Sequence, residues 1–219
     1  MLKLPLPPAS GFVVTAKIWL RSRTKPGAFG RAVSDADYDV LVTGDADIYK
    51  PNGELLLSYR KASLSRSAIE SAWPILYRAK SNKTNNRGIA AGGERKQRVR
   101  KDGTVSNTAV AEEVASMILG YYDRYPRIPY CRQTAVMAAN MDEWEASLPL
   151  LLEIASVYAS AVPDRYEAQM AKVAETSQDF VIAGTPWTTI TVNHNWQTML
   201  HTDKGDWIGP GKGFGVITA

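Results

Sequence analysis

The sequence predicts an α+β fold, on three observations. Residues 188–192 alternate threonine with isoleucine and valine, the period-two pattern of a half-buried strand. Residues 47–60 place a Pro-Asn-Gly turn between two strand-like arms, which predicts a hairpin. Residues 140–173 carry apolar side chains at helical spacing. We therefore expect a strand-rich N-terminal region, flanking helices and a second group of strands near residue 180 and beyond.

Composition bounds the class of protein. The length of 219 residues predicts one domain, or one domain with an elaboration, and contents of 45% hydrophobic and 22% charged residues are typical of a globular protein. A net charge of +4 and a pI near 9.1 favour polyanionic partners. The single cysteine, Cys131, excludes an internal disulfide framework and suits a reducing compartment. Charged residues and prolines interrupt the first twenty positions, so we predict no signal peptide, no membrane partner and a cytoplasmic location.

A basic segment covers residues 78–101, where nine lysines and arginines face a single acid, Glu94. Few apolar residues are present to be buried, so the sequence predicts a mobile or ligand-ordered loop. One interpretation is a solvated surface loop. The other is an arm that grips DNA phosphates through sequence-independent, salt-sensitive contacts. The residues that we assign to this arm are Arg87, Arg95, Lys96, Arg98 and Arg100.

The middle of the chain predicts two more elements before the helices. Apolar residues at helical spacing predict a helix from Val105 to Gly120, and residues 131–137 predict a strand. Arg132 in that strand has two interpretations, a clamp that binds a carboxylate bidentately or the partner of a structural ion pair.

The two following helices have recognisable starts. Asn140 and Glu143 have the spacing of a capping box, and Pro149 predicts a kink or restart in the helix that they open. A further helix is expected from Asp164 to Val173. The apolar stripes of both helices are more typical of a core than of a cofactor site.

The candidate site lies after the strand at 188–192. His201 and Asp203 are separated by one residue, so in extended backbone both side chains leave on the same face. One imidazole and one carboxylate make two thirds of the facial triad that holds non-haem Fe(II). The alternative is a loop histidine paired with a nearby carboxylate.

Several further motifs lie before and after the His201–Asp203 pair. The run TVN-x-N-x-QT-x-x-HTDKGD at 191–206 is followed by GFGV at 213–216 and preceded by GYYDR at 120–124, PYCRQT at 129–134 and DFVIAGT at 179–185. Together they resemble the TET/JBP family of 2-oxoglutarate- and Fe(II)-dependent DNA dioxygenases, in the form found in phages. The resemblance is good over the C-terminal half of the chain and looser before it.

The resemblance implies a double-stranded β-helix core (jelly-roll, cupin-like), with residues 1–110 as a strand-rich region bearing the basic loop and residues 111–219 as the first part of the core. It implies oxidation of the 5-methyl group of a pyrimidine in DNA, 5-methylcytosine before thymine, in the cytoplasm of a bacterial host if the gene is carried by a phage. Fe(II) would be held by His201 and Asp203, and the target base by Asp206. The clamp interpretation of Arg132 comes from its own chemistry, and its ligand would be a carboxylate of 2-oxoglutarate. The alternative interpretation of Asp206 is an aspartate that caps a turn.

The sequence departs from the family at its end. These dioxygenases carry a second histidine ligand and an arginine for 2-oxoglutarate downstream of the His-x-Asp pair, yet no histidine follows His201, and His194 lies seven residues before it. We therefore expect an incomplete catalytic core: a truncated enzyme, a split enzyme completed by a second polypeptide, or a degenerate copy. The alternative function is a non-catalytic DNA-binding protein derived from the same fold.

Overall fold

A computed structural model describes residues 16–18, 40–49, 51–84, 98–106, 114–124, 126 and 128–194. In this part of the chain the fold is a mixture of helices and small antiparallel sheets. The strands are β1 Ala16–Ile18, β2 Val40–Val42, β3 Ala46–Tyr49, β4 Leu55–Tyr59, β5 Lys83–Thr84, β6 Arg98–Val99, β7 Val105–Ser106, β8 Val114–Tyr122, β9 Arg132–Gln133 and β10 Thr189–Asn193. The helices are α1 Arg66–Tyr77, α2 Ala135–Ala138, α3 Met141–Ala161 and α4 Pro163–Ala174, with 3₁₀ turns at Arg78–Lys80 and Gln178–Phe180.

Strand β8 is the centre of the largest sheet. It pairs antiparallel with β10, from Ser116 opposite Asn193 to Gly120 opposite Thr189. Its first residues pair with β5, and its last two pair with β9. Three strands from separate parts of the sequence thus converge on β8.

Helices α1 and α3 pack against each other and cover this sheet. The core cluster includes Ile75 of α1, Leu119 of β8, Trp144 of α3 and Ile182, all almost completely buried. Burying side chains of this size stabilises the fold by about 1.5–3 kcal/mol each. The α1–α3 contact joins the two parts into which the sequence analysis divides the chain, and that division at residue 110 stays a prediction.

The first turn of α1 is tied to α3 by a carboxylate. Ser65 caps α1 by accepting a hydrogen bond from the backbone N–H of Ala68 at 3.2 Å. The Ser65 hydroxyl and backbone N–H donate in turn to the two carboxylate oxygens of Glu153, at 2.6 and 2.7 Å. These bonds lower the pKa of Glu153, the hydroxyl bond contributing most. At the other end of α1, Arg78 donates from Nε to Glu143 at 2.6 Å.

The hairpin of β3 and β4 confirms the Pro-Asn-Gly prediction. Its turn has Gly53 at φ +80°, a conformation that costs glycine little, and Asn52 accepts a hydrogen bond from the backbone N–H of Glu54 at 3.1 Å. Arg60 donates to Asp47 across the hairpin at 2.9 Å and lowers the pKa of that carboxyl. The helix predicted from Asp164 is present as α4.

The helix predicted from Val105 to Gly120 is wrong. Val105 begins strand β7, and β8 occupies residues 114–122. Most side chains of β8 up to Gly120 are buried, so its apolar residues form a continuous run instead of alternating. A short run of this kind does not distinguish a buried strand from a buried helix.

Three smaller predictions about the helices are corrected. Residues 131–137 hold only the two-residue β9 before helix α2 begins at Ala135. Asn140 does not close a capping box, because its side chain donates to the Val136 carbonyl and Glu143 binds Arg78 instead. Helix α3 continues through Pro149 from residue 141 to 161, so the predicted restart is wrong, while the kink stays a prediction.

Candidate functional site

The predicted metal and base-contacting residues, His201, Asp203 and Asp206, lie outside the described residues, as do Arg87, Arg95 and Lys96. Between residues 16 and 194, the portion that is described holds no cluster of three histidine, cysteine or acidic side chains that could bind a metal. The structure does define the strand from which the His-x-Asp segment continues. The site is therefore built here from β10 and its neighbours.

A polar network fixes the end of β10. The hydroxyl of Ser116, with 2% of the residue exposed, donates to the side-chain oxygen of Asn193 at 2.7 Å. The side chain of Asn82 donates to the Ser116 carbonyl at 2.6 Å, and the Ser116 N–H donates to the Asn82 carbonyl at 3.0 Å. Buried polar groups stabilise a fold only when they are satisfied, so this network holds the three strands β5, β8 and β10 in one register.

His194 continues the pairing one residue beyond β10. Its backbone N–H donates to the Ala115 carbonyl at 2.9 Å, and the residue is half-buried. Only six residues separate it from His201, so the two Cα atoms lie no more than about 25 Å apart. The end of the sheet thus anchors the entry to the predicted metal-binding segment.

The other end of the β8–β10 pair depends on Gly120. Its φ is +111°, and a Cβ atom there would lie 2.9 Å from the Thr189 Cα and closer still to the Thr188 carbonyl oxygen. That oxygen accepts a hydrogen bond from the Tyr121 N–H at 2.8 Å, and the Gly120 carbonyl accepts one from Thr134 at 2.9 Å. Without a side chain at position 120, the start of β10 can approach β8 this closely.

Arg132 lies on β9, directly opposite Tyr122 of β8. It is half-buried, and its guanidinium carbon lies 4.9 Å from the centroid of the Tyr122 ring. A guanidinium stacked on a ring is held in a fixed plane and still presents donors at its edge. The clamp and the ion-pair interpretations of Arg132 both stay open.

The described ends of the basic segment are folded, in contrast to the predicted mobile loop. Arg78 is engaged by Glu143, and the ammonium of Lys80 lies 5.2 Å from the Tyr77 ring centroid. Arg98 belongs to β6, and Arg100 is exposed at the start of the β6–β7 turn. Of the five arginines and lysines assigned to DNA, Arg100 is therefore the one whose side chain the structure shows accessible to solvent.

The sequence analysis did not find Asn82, Ser116 or Gly120 as residues of the site. Gly120 and Asn193 stand within the motifs quoted above, but nothing in the pattern indicated that they position strands. Ser116 could have been noticed as a polar residue inside the apolar run of β8.

Comparison with known families decides the assignment of this region. Residues 117–217 match the Tet_JBP family, described as the oxygenase domain of the 2OGFeDO superfamily. Residues 117–217 are thus similar to the Tet_JBP oxygenase domain. The Tet_JBP region begins within β8, includes Gly120, Arg132 and β10, and extends through His201, Asp203 and Asp206. The hairpins and helix α1 precede it.

Curated relatives match a similar share of the chain. The thymine dioxygenase JBP1 of Trypanosoma brucei brucei is 35% identical over 105 residues, which are 47% of this chain and 12% of the relative. The bifunctional helicase and thymine dioxygenase JBP2 of Leishmania tarentolae is 38% identical over 103 residues, 46% of this chain and 9% of the relative. The matched region is thus a small fraction of these relatives' length. No solved structure was found to match the chain.

One structural finding bears on the membrane. Among the described helices, none combines the length and the apolar character needed to cross a bilayer.

Proposed function

We propose that this protein is an Fe(II)- and 2-oxoglutarate-dependent oxygenase that oxidises the 5-methyl group of a pyrimidine in DNA. The observation that carries the proposal is the Tet_JBP match over residues 117–217, which includes the His-x-Asp pair and the strand leading to it. Relatives that are named thymine dioxygenases support a 5-methylpyrimidine as the substrate. Thymine and 5-methylcytosine are both tested as the target base. Membership of this superfamily also supports a double-stranded β-helix in which β8 and β10 are neighbouring strands.

The donor set fits the metal. Imidazole nitrogen and carboxylate oxygen are the ligands that non-haem Fe(II) takes in a facial triad. We propose that His201 and Asp203 hold the ion, and that Arg132, whose guanidinium stacks on Tyr122, binds a carboxylate of 2-oxoglutarate. When bound, the metal and its co-substrate would supply the activation of O₂ for attack on a C–H bond.

The remaining roles are those of binding and positioning. Asp206 lies three residues beyond Asp203, past a glycine, and we assign it to the target base. A carboxylate there accepts a hydrogen bond from the exocyclic amine of cytosine, which thymine lacks. Chemistry on a methyl group at a base edge requires the base to leave the stack, so the protein must also hold the flanking duplex. The basic segment supplies phosphate contacts for that purpose.

Iron binding tests the metal assignment directly. The 219-residue chain contains two histidines, and we predict that it binds Fe(II) weakly through His201 and Asp203. Titration with Fe(II) under anaerobic conditions should show this binding lost in His201→Ala and Asp203→Ala. The matched control His194→Ala, in the half-buried residue after β10, should bind iron as the wild type does. Equal losses in His201→Ala and His194→Ala would contradict the assignment.

Turnover tests the activity. The chain alone should release no succinate from 2-oxoglutarate, because two protein ligands hold the ion poorly. A variant extended by a histidine-bearing segment should release it and convert the methyl group of a DNA pyrimidine to hydroxymethyl, which mass spectrometry of the nucleosides detects. DNA binding with no iron binding in either form would favour the alternative, a non-catalytic DNA-binding protein.

The base assignment has its own test. Asp206→Asn keeps the size of the side chain and removes its charge. In the extended enzyme iron affinity should be unchanged, while the ratio of activity on 5-methylcytosine to activity on thymine should shift. An equal loss on both bases would count against base recognition, and loss of iron would place Asp206 among the ligands.

A further inference from the structure

The hairpin of β6 and β7 is held in one conformation by its own turn. The Arg100 N–H donates to the Thr104 carbonyl at 2.8 Å, and the Gly103 N–H donates to the Arg100 carbonyl at 2.9 Å. Asp102 accepts from the backbone N–H and the hydroxyl of Thr104 at 2.9 and 2.6 Å, and these bonds lower its pKa. Gly103 takes φ +79°, as such a turn requires. The hairpin is thus preorganised, although nearly all of it faces solvent.

Two valines form an exposed apolar pair on this hairpin. Val99 and Val105 are Cα partners across the two strands, so their side chains leave on the same face. They are 66% and 56% exposed. Because both valine side chains remain largely exposed to water, the pair contributes little to the stability of the hairpin itself. A partner that covers this face would gain the free energy of that burial.

The charge around the pair indicates the chemistry of the partner. Arg100 and Lys101 are exposed at the tip of the hairpin, directly after Val99. In the sequence, the seven residues 95–101 contain five cations and no acid. The nearby carboxylate of Asp102 accepts its hydrogen bonds from Thr104 within the turn. A small apolar face bordered by cations complements a polyanion that carries apolar groups between its charges, which describes a groove of DNA.

We propose that the β6–β7 hairpin is a ribbon that docks in the major groove of duplex DNA, with the Val99–Val105 pair against thymine methyl groups and Arg100 and Lys101 against phosphates. This inference rests on the proposed DNA substrate. Paired strands lie about 4.8 Å apart. With their side chains they fit the major groove, about 12 Å wide, whereas the minor groove, about 6 Å wide, would have to open. The 5-methyl group of thymine is exposed on the major-groove side, where apolar side chains contact it.

Deoxyuridine provides the test, because it replaces thymine without changing base pairing and removes only the methyl group. The 219-residue chain is titrated, at one fixed salt concentration, with a duplex rich in thymine and with the same duplex carrying deoxyuridine, by fluorescence anisotropy. Each methyl group that a valine covers should contribute roughly fourfold to Kd. The wild type should therefore bind the deoxyuridine duplex between about 4-fold and about 16-fold more weakly.

Val99→Ser/Val105→Ser removes both γ-methyl groups of each valine, whereas threonine would keep a methyl group able to contact thymine. This variant should bind the two duplexes equally, at the affinity that the wild type has for the deoxyuridine duplex. Val40→Ser is the matched control, since Val40 is an exposed valine (38%) of strand β2 in a separate sheet, and it should keep the wild-type preference. Arg100→Gln/Lys101→Gln should weaken binding to both duplexes equally. It should also lower the slope of log Kd against log salt concentration by about 1 per residue.

Four outcomes separate the possibilities. A thymine preference that disappears in the double valine variant and persists in Val40→Ser supports the inference. DNA binding with no preference, or with one that the double variant retains, overturns the hairpin contact and leaves the proposed substrate standing. No DNA binding even at low salt overturns both. The fourth outcome is a wild type that dimerises in size-exclusion chromatography and a double variant that is monomeric with unchanged DNA affinity. This face would then form the contact between copies of the chain, and the inference would be overturned.

Discussion

Replacing Gly120 by alanine should destabilise the protein more than any other glycine-to-alanine change among the described residues. The glycine holds φ +111°, and the added Cβ would lie 2.9 Å from the Thr189 Cα and nearer to the Thr188 carbonyl. Backbone strain in such a conformation costs about 1–3 kcal/mol. Forcing atoms into a packed site costs a further 1–3 kcal/mol or so. We therefore expect a loss of about 2–6 kcal/mol, a large part of the 5–15 kcal/mol typical of a domain.

Two other glycines separate these contributions. Gly53 has φ +80° with nothing within 4 Å of an added Cβ, so Gly53→Ala should show the conformational cost alone, about 1–2 kcal/mol. Gly44 has open space and no positive φ, so Gly44→Ala should be nearly neutral. Urea unfolding followed by circular dichroism gives the three free energies of unfolding. If Gly120→Ala is no less stable than Gly53→Ala, β10 does not pack against position 120 as described.

Three further predictions concern the polar contacts. Asn193→Ala leaves the buried Ser116 hydroxyl without its acceptor and should cost about 1–3 kcal/mol in urea unfolding, with part of this recovered in the double variant that also carries Ser116→Ala. Arg78→Ala removes an ion pair that is partly exposed at both ends and should cost no more than about 1 kcal/mol, less at high salt. Because its hydrogen bonds lower the pKa of Glu153, the carboxylate stabilises the fold at neutral pH, and that contribution is lost as the pH falls through 4.5, the ordinary value, toward the lower folded value. Wild type and Glu153→Gln should therefore differ in melting temperature at pH 7 and converge in acid.

Each of these predictions has an outcome that contradicts it. Additive losses in the Asn193 and Ser116 variants would show that the two side chains do not depend on each other. A loss well above 1 kcal/mol in Arg78→Ala would mean that the pair is more deeply buried than the structure has it. A difference between wild type and Glu153→Gln that is independent of pH would assign the effect to packing.

Local chemistry made part of the fold predictable from the sequence. The turn at 51–53 is encoded by three adjacent residues, and the strand at 189–193 by its own alternation. The helices α3 and α4 follow from apolar spacing within each segment. Strand β8 was not predictable in the same way, because its character comes from neighbours that are remote in the sequence and bury both of its faces.

The same distinction applies to the site. The His-x-Asp pair and Asp206 were found because their positions relative to one another are fixed within a few residues. The network around Ser116 joins partners 34 and 77 positions away, and no pattern along one segment reports such a contact. Arg132 was proposed from its chemistry, but its stacking on Tyr122 depends on the pairing of β9 with β8.

The central place of β8 has a consequence during synthesis. Tyr122 at the end of β8 and Thr189 at the start of β10 are 67 positions apart, so at 5–20 residues per second β8 waits roughly 3 to 13 s before its partner is made. During that interval an apolar strand has one edge without a partner, the kind of surface on which nascent chains associate. Residues 140–176, which occupy much of this interval, are almost entirely helical and fold through local contacts. Helix α3, whose Trp144 and Leu151 belong to the same core cluster as Leu119 of β8, thus gives the ribosome-bound chain a rapidly formed structure that covers part of the strand before β10 is made.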